Sequence, residues 1–261
     1  MSGEAVPRGR EEELLLARVS AAAGRAQLGR RLVTYRPPRA EPGTGRTAGA
    51  DTPRLPGAGG GPVARVRRLL RIGGGSVARA RRLPRVWGPV TGTGARLDLY
   101  EYGMTAAAGG RACRVHVVRF DTTVVHRRRV LSSRGVTRAL SLVDVDGERI
   151  MLRCGDFGRP EEWWPAIRRG VVDAQLPHAL AALRRGARLA FGPVWLTRDE
   201  VGSGGRALRW AQVQRIETGN GVVAVRVAGR WQVWTAVASG IPNLCVLHAL
   251  AEHLAGAATD D

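Results

Sequence analysis

At 261 residues the chain is long enough for two ordinary domains, or for one folded region of about 165 residues preceded by a tail, and its composition favours the second division. A formal net charge of +19, carried by 41 basic residues that are all arginine, excludes a charge-balanced surface and draws the chain towards nucleic acid, anionic lipid or acidic protein. Cys113, Cys154 and Cys245 are widely spaced with no C-x-x-C pair, which excludes a disulfide framework and a cysteine zinc site and fits a reducing cytoplasm.

The charge is unevenly spread. Residues 1 to 95 hold 18 Arg against 6 acidic side chains, and residues 96 to 261 hold 23 against 16. Glu11, Glu12 and Glu13 stand directly before Leu14 to Leu16, the reverse of a signal peptide, and no window of about 18 uninterrupted apolar residues predicts a membrane span. A cytoplasmic chain is expected, at most peripheral at the inner face of a membrane.

Residues 11 to 33 are predicted as a helix, with acids in the first turn and Arg25, Arg30 and Arg31 towards the end, the order the helix dipole favours. Thr34 to Pro62 is rich in Pro, Gly, Ala and Thr, and reads as a linker too poor in bulky apolar residues to fold. A tandem duplication follows, GPVARVRRLLRIGG at 61 to 74 and GSVARARRLPRVWG at 75 to 88, identical at nine of fourteen positions. Its eight arginines, Arg65, Arg67, Arg68, Arg71, Arg79, Arg81, Arg82 and Arg85, have no acid among them. Slippage in GC-rich DNA would leave such a tract as a solvated linker; alternatively it lies along an anionic surface or supplies phosphate contacts to nucleic acid. The whole 1 to 95 region is thus read as basic and largely disordered.

From Arg96 the pattern changes to strands. Leu97 and Leu99 alternate with Asp98 and Tyr100, Cys113 to Val125 is dense in β-branched residues, and Asp146-Gly147 signals a type I′ hairpin before Ile150, Leu152 and Cys154. Pro160 opens a helix with Glu161 and Glu162 in its first turn, which Pro177 should kink or split before Gly186 ends it. A second run then repeats the plan. Strands are expected at 189 to 191, 194 to 197, 207 to 216, 222 to 227 and 231 to 237, and Pro242 opens a helix with Leu244, Leu247, Leu250 and Leu254 near a 3.6 period. Gly147, Gly158 and Pro160 recur 82 residues later as Gly229, Gly240 and Pro242, so the chain reads as a hairpin-to-helix unit built twice, over 96–186 and 187–256. The fold class is α+β, two tandem antiparallel meanders each closed by a C-terminal helix.

The runs PEEWWPAI at 160 to 167, AQLPHALAAL at 174 to 183, FGPVWLTRDEVGSGGRALRW at 191 to 210 and ASGIPNLCVLHALAEHL at 238 to 254 carry a resemblance. They resemble an uncharacterised actinobacterial family of unknown function whose C-terminal part looks like a bacterial pleckstrin-homology-like domain. The likeness covers residues 96 to 255, with a weaker echo at Ala17 to Tyr35. It implies a curved antiparallel sheet of about seven strands plugged by the terminal helix.

Catalytic constellations are sparse. Glu161-Glu162 is accounted for by capping, Asp144 and Asp146 by turn chemistry, and His248 and His253 lie about 140° apart on a helix, unlike the paired histidines of a zinc motif. Cys113 and His116 point to opposite faces of a strand, the glycine runs at 57 to 61 and 73 to 75 lack the Lys-Ser/Thr of a phosphate loop, and no serine sits in a nucleophile motif. No enzyme, metal or cofactor is expected. Trp163, Trp164, Trp195, Trp210, Trp231 and Trp234 read mainly as packing residues, with Trp164 and Trp234 a protein-contact patch if exposed together. The binding surface expected is a basic loop at 126 to 138, with Arg127, Arg128, Arg129, Arg134 and Arg138 meeting an anion or lipid head group. In pleckstrin-like modules such loops meet phosphoinositides, so the reading is a non-catalytic binding or scaffold module for an anionic membrane surface or an acidic protein. A nucleic-acid-associated protein working through residues 61 to 88 is the alternative.

Overall fold

The computed structural model describes residues 8–37, 95–107, 114–132, 135–219 and 221–258, with Arg8, Ser132, Thr235 and Ala236 in backbone only. It is a mixed α+β fold of antiparallel sheets and three helices. Helix α1 (Arg8–Arg25) leads into β1 (Arg31–Tyr35), which joins β2 (Arg96–Tyr100), β3 (Gly103–Ala107) and β4 (Val115–Arg119) in a four-stranded sheet of that order. Strands β5 (His126–Ser132), β6 (Gly135–Val143) and β7 (Arg149–Arg153) form a three-stranded sheet, followed by α2 (Pro160–Arg184). Four more short strands, β8 (Leu189–Phe191), β9 (Val194–Leu196), β10 (Glu200–Ser203) and β11 (Arg206–Arg209), make a second four-stranded meander. Then β12 (Val213–Gly219), β13 (Val222–Val227) and β14 (Arg230–Val237) make a second three-stranded sheet, and α3 (Leu244–Ala257) ends the fold. Four strands, three strands and a helix therefore occur twice.

The N-terminal segment differs from its sequence reading. The predicted helix at 11 to 33 stops at Arg25, and Arg31–Tyr35, expected as the helix end and the first linker residues, pairs instead with β2. Val33, Thr34 and Tyr35 are β-formers beyond Gly24 and Gly29, and a neighbouring sheet edge decides their state where helical charge order could not. Helix α1 then covers the outer face of this sheet: Leu15 and Val19 pack on Ala107 and Val115, while Ala22, Ala23 and Leu28 pack on Tyr100 and Val117. With the main core on the other face, every residue of β2 and β3 is buried.

That covered face contains an ion pair. Arg96 Nε and Nη2 donate to the two carboxylate oxygens of Asp98 at 2.5 and 2.7 Å, and Arg96 Nη2 also donates to Thr34 Oγ1 at 3.0 Å. Asp98 is fully buried, so its charge is held by a bidentate guanidinium rather than by water.

The turns obey local backbone rules with one correction. The β6–β7 loop was expected as type I′, which needs two positive φ angles, but only Gly147 has one, at 77°. Asp144 N donates to Glu148 O and Gly147 N to Asp144 O, the geometry of a turn closed by a bulge. Ala228-Gly229, between β13 and β14, is a two-residue turn with both φ angles positive, 47° and 77°. Pro160 opens α2 as expected, but Pro165 and Pro177 leave it a single helix of 25 residues rather than two. Pro242 precedes α3, whose N-cap is Asn243 in the left-handed region. The predicted strand at 207 to 216 is broken by a 3-10 turn at Trp210–Gln212, where Trp210 Nε1 donates to Thr197 O at 3.1 Å.

One hydrophobic core runs through both halves, from Leu97, Met104 and Leu140 through Phe157, Trp163 and Ile167 to Val194, Val225, Leu247 and Leu250. Gln175 and Asn243 pin the halves together. Asn243 Oδ1 accepts from Val125 N at 2.6 Å, Asn243 Nδ2 donates to Thr123 O and to Gln175 Oε1, and Gln175 Nε2 donates to Phe120 O and Thr123 O. The approach of α2 to Phe120 depends on Gly170, where an added Cβ would lie 2.4 Å from the ring.

Candidate functional site

Strand rules position the arginines that the sequence assigned to a loop. Residues 126–132 are β5, paired with β6 in seven successive register steps, so the basic run is one arm of a hairpin and not a connecting loop. β-Branched Val130, Val136 and Thr137 and the cross-strand pairing outweigh the charge density that suggested a loop. Alternation splits the arginines. Arg127, Arg129 and Leu131 share a face with their partners Leu140, Arg138 and Val136, while Arg128 lies on the opposite face with Ala139. Leu140 belongs to the core, so this face is buried at one end and emerges outward along the hairpin. Arg129 and Arg138 are exposed, and beyond them Leu131 is 80% and Val136 64% exposed. Arg134 and the eight arginines of residues 61 to 88 lie outside the described residues.

At the inner end Arg127 is half-buried. Burial, and then the neighbouring guanidiniums of Arg168 and Arg138, push its pKa down. Arg168 comes from α2, and its Nε is shielded from solvent with no hydrogen-bond partner. Helix α3 contributes Cys245, buried, whose thiol pKa is raised by burial, and His248, whose imidazole sits 3.3 Å from Thr218 Oγ1 of β12. Desolvation, followed by the repulsion of Arg127 and Arg168, lowers the His248 pKa to about 4. Neither Arg127 nor Arg168 has a carboxylate within ion-pairing distance among the described residues, in contrast to Arg96 on Asp98. The arrangement is a half-buried cationic corner between sheet and helices that opens onto an exposed basic and aliphatic hairpin.

A family of unknown function, DUF6585, matches residues 90–258, which takes in β2 through α3. The chain belongs to this family. No curated protein and no solved structure matches it. In this DUF6585 chain α1 and β1 lie before the matched span, although they complete the first sheet and cover it.

Other constellations are accounted for by the fold. His116, Asp144 and Glu148 bring ligand-type atoms within 4.8 Å of one another. Asp144 Oδ2 meets His116 Nδ1 at 2.8 Å, its Oδ1 accepts from Asp146 N and Glu148 N, and Glu148 is ion-paired to Arg114 at 2.7 Å. The expected turn role of Asp144 is therefore present, with a histidine bond that strand alternation had not suggested. A cleft of about 380 Å³ is bordered by Asp121, Gln175, His178, Leu189, Phe191 and Val246, but Asp121 is bonded to Arg119 and Gln175 to backbone carbonyls. Trp163, Trp210 and Trp234 are buried, which removes the Trp164–Trp234 contact patch; Trp231 is exposed. Cys113 lies outside the described residues, and Cys154 and Cys245 are free. No helix among the described residues is long and apolar enough to cross a membrane.

The sequence named Arg127, Arg129 and Arg138 but not the groups that meet them. Arg168 is adjacent to Arg169 in a helix of mixed charge, and only the packing of α2 turns the first inward. Strand period could have found the second feature, since Arg129, Leu131, Val136 and Arg138 fall on one face once 126–138 is read as a hairpin.

Proposed function

We propose that the chain is a non-catalytic binding module whose β5–β6 hairpin docks reversibly on an anionic lipid surface. The observation that carries this is the hairpin's distal face, where two strongly exposed aliphatic side chains, Leu131 and Val136, sit beside the exposed arginine pair Arg129 and Arg138. Aliphatic tips enter the acyl boundary while flanking cations meet phosphate head groups, each worth about 1 kcal/mol near such a surface. The same face has no aromatic ring to stack on bases, which favours lipid over nucleic acid.

The repeated order of four strands, three strands and a helix supports a further reading, that the fold consists of two pleckstrin-homology-like units descended from a duplication. Seven antiparallel strands closed by a helix is the plan of such a unit, and the Gly147 and Gly229 turns fall at corresponding hairpins. In that reading the arginine-rich segment before residue 90 adds non-specific attraction to the same surface at the inner face of the membrane. An acidic protein partner would use the same cations without needing the aliphatic tip.

Co-sedimentation of the full chain with vesicles of phosphatidylcholine alone, or of phosphatidylcholine with phosphatidylserine, tests the proposal. Binding to the anionic vesicles that weakens with salt is expected. Equal and negligible binding to both would overturn it, and salt-sensitive binding to a random DNA duplex without vesicle binding would assign the charge to nucleic acid.

A further inference from the structure

We propose that Arg127 and Arg168 form the seat of a phosphate-type dianion, in the corner bounded by β5, α2, α3 and β12. This rests on the lipid-surface reading for its lipid source, but not for its chemistry.

Arg96, a guanidinium buried in the first sheet, is supplied with its counter-charge: it has the two oxygens of Asp98 and the hydroxyl of Thr34. Arg127 is withdrawn from water beside Leu140 without such a partner, and the Nε of Arg168 is fully shielded and unbonded. A half-buried guanidinium repelled by its neighbour, beside a shielded Nε with no acceptor, is completed by an anion from outside. Their planar forks suit an anion with several acceptor oxygens and a charge near −2, which a phosphate monoester supplies and a single carboxylate does not. Arg138 adds positive potential at Arg127, and the Thr218 hydroxyl meets the His248 ring.

His248 reports on the seat. The charges that act on it are Arg127 from β5 and Arg168 from α2, Thr218 from β12 meets its ring, and Glu252 lies one helical turn further along α3. A dianion between the arginines reverses that field, and the His248 titration midpoint, about 4 without it, moves up. By linkage, a protonated His248 and the bound dianion favour each other, while below about pH 6 phosphate takes up a proton of its own that offsets the gain.

The test follows the His248 ring resonances of the full chain by NMR against pH, with and without inorganic phosphate. A saturable upward move of the midpoint is expected. Arg168→Gln and Arg127→Gln should each raise the apparent dissociation constant about tenfold or more, while Arg169→Gln, an exposed neighbour on the same helix, should not. A wild-type midpoint unmoved at high phosphate would overturn the proposal, as would a response retained in both Arg127→Gln and Arg168→Gln; the first needs no variant to fold. Vesicles of phosphatidylcholine with a phosphatidylinositol monophosphate, set against phosphatidylserine vesicles, separate the sources. Preference for the phosphomonoester lipid assigns the seat to a head group, and a phosphate response without that preference assigns it to a free phosphorylated molecule. Loss of all vesicle binding with the phosphate response intact removes the surface reading and leaves the seat.

Discussion

Asn243 combines two roles that sequence patterns keep separate. It occupies the left-handed N-cap of α3, φ 46° and ψ 42°, a conformation that Asn tolerates better than most residues, and its side chain bonds Val125, Thr123 and Gln175. Asn243→Ala leaves the Val125 amide and the Gln175 carbonyl short of partners and adds backbone strain. Urea unfolding should show a loss of about 2–4 kcal/mol, whereas a loss below about 0.5 kcal/mol would mean the network is solvated. The residues that make this junction are separated by 52 to 120 positions, so no local spacing could have revealed them. Arg96 and Asp98 are a different case. Their i, i+2 spacing placed them on one face, but only α1 makes that face an interior.

At the scale of elements, most helices and strands were legible because their periods are strong: α3 follows its leucines, and β6 and β7 follow Leu140, Leu142, Ile150 and Leu152. The failures share a cause. Charge density made β5 read as a loop and helical charge order carried α1 too far, since in both places tertiary pairing decides and local composition is neutral or misleading. Helix α1 is integral to the first sheet, with Val19 1% exposed against Ala107. Val19→Glu should therefore cost about 3 kcal/mol, by burying an unpaired carboxylate or lifting the helix. Hydrogen exchange would detect this as faster exchange in β2 and β3, and unchanged protection there would contradict the covering role of α1.

For the whole molecule, a core continuous across both halves predicts cooperative unfolding, with an acid weakness at half-buried His248. His248 has its pKa lowered to about 4 in the native state from an ordinary 6.5, so the unfolded chain takes up a proton that the native state refuses between those values. Its contribution is complete above about pH 6.5 and stability falls as the pH drops towards about 4, by up to about 1.4 kcal/mol per pH unit. Urea midpoints measured across that window should show the slope, and His248→Gln should flatten it; an unchanged slope would place the imidazole in contact with water. Docking through the β5–β6 hairpin requires its exposed arginine pair, and charge reversal there in the full chain removes it. Arg129→Glu with Arg138→Glu should lower partitioning onto phosphatidylserine-containing vesicles by at least about thirtyfold, with the arginine-rich N-terminal segment unaltered. Partitioning equal to that of the unmodified chain would contradict the account.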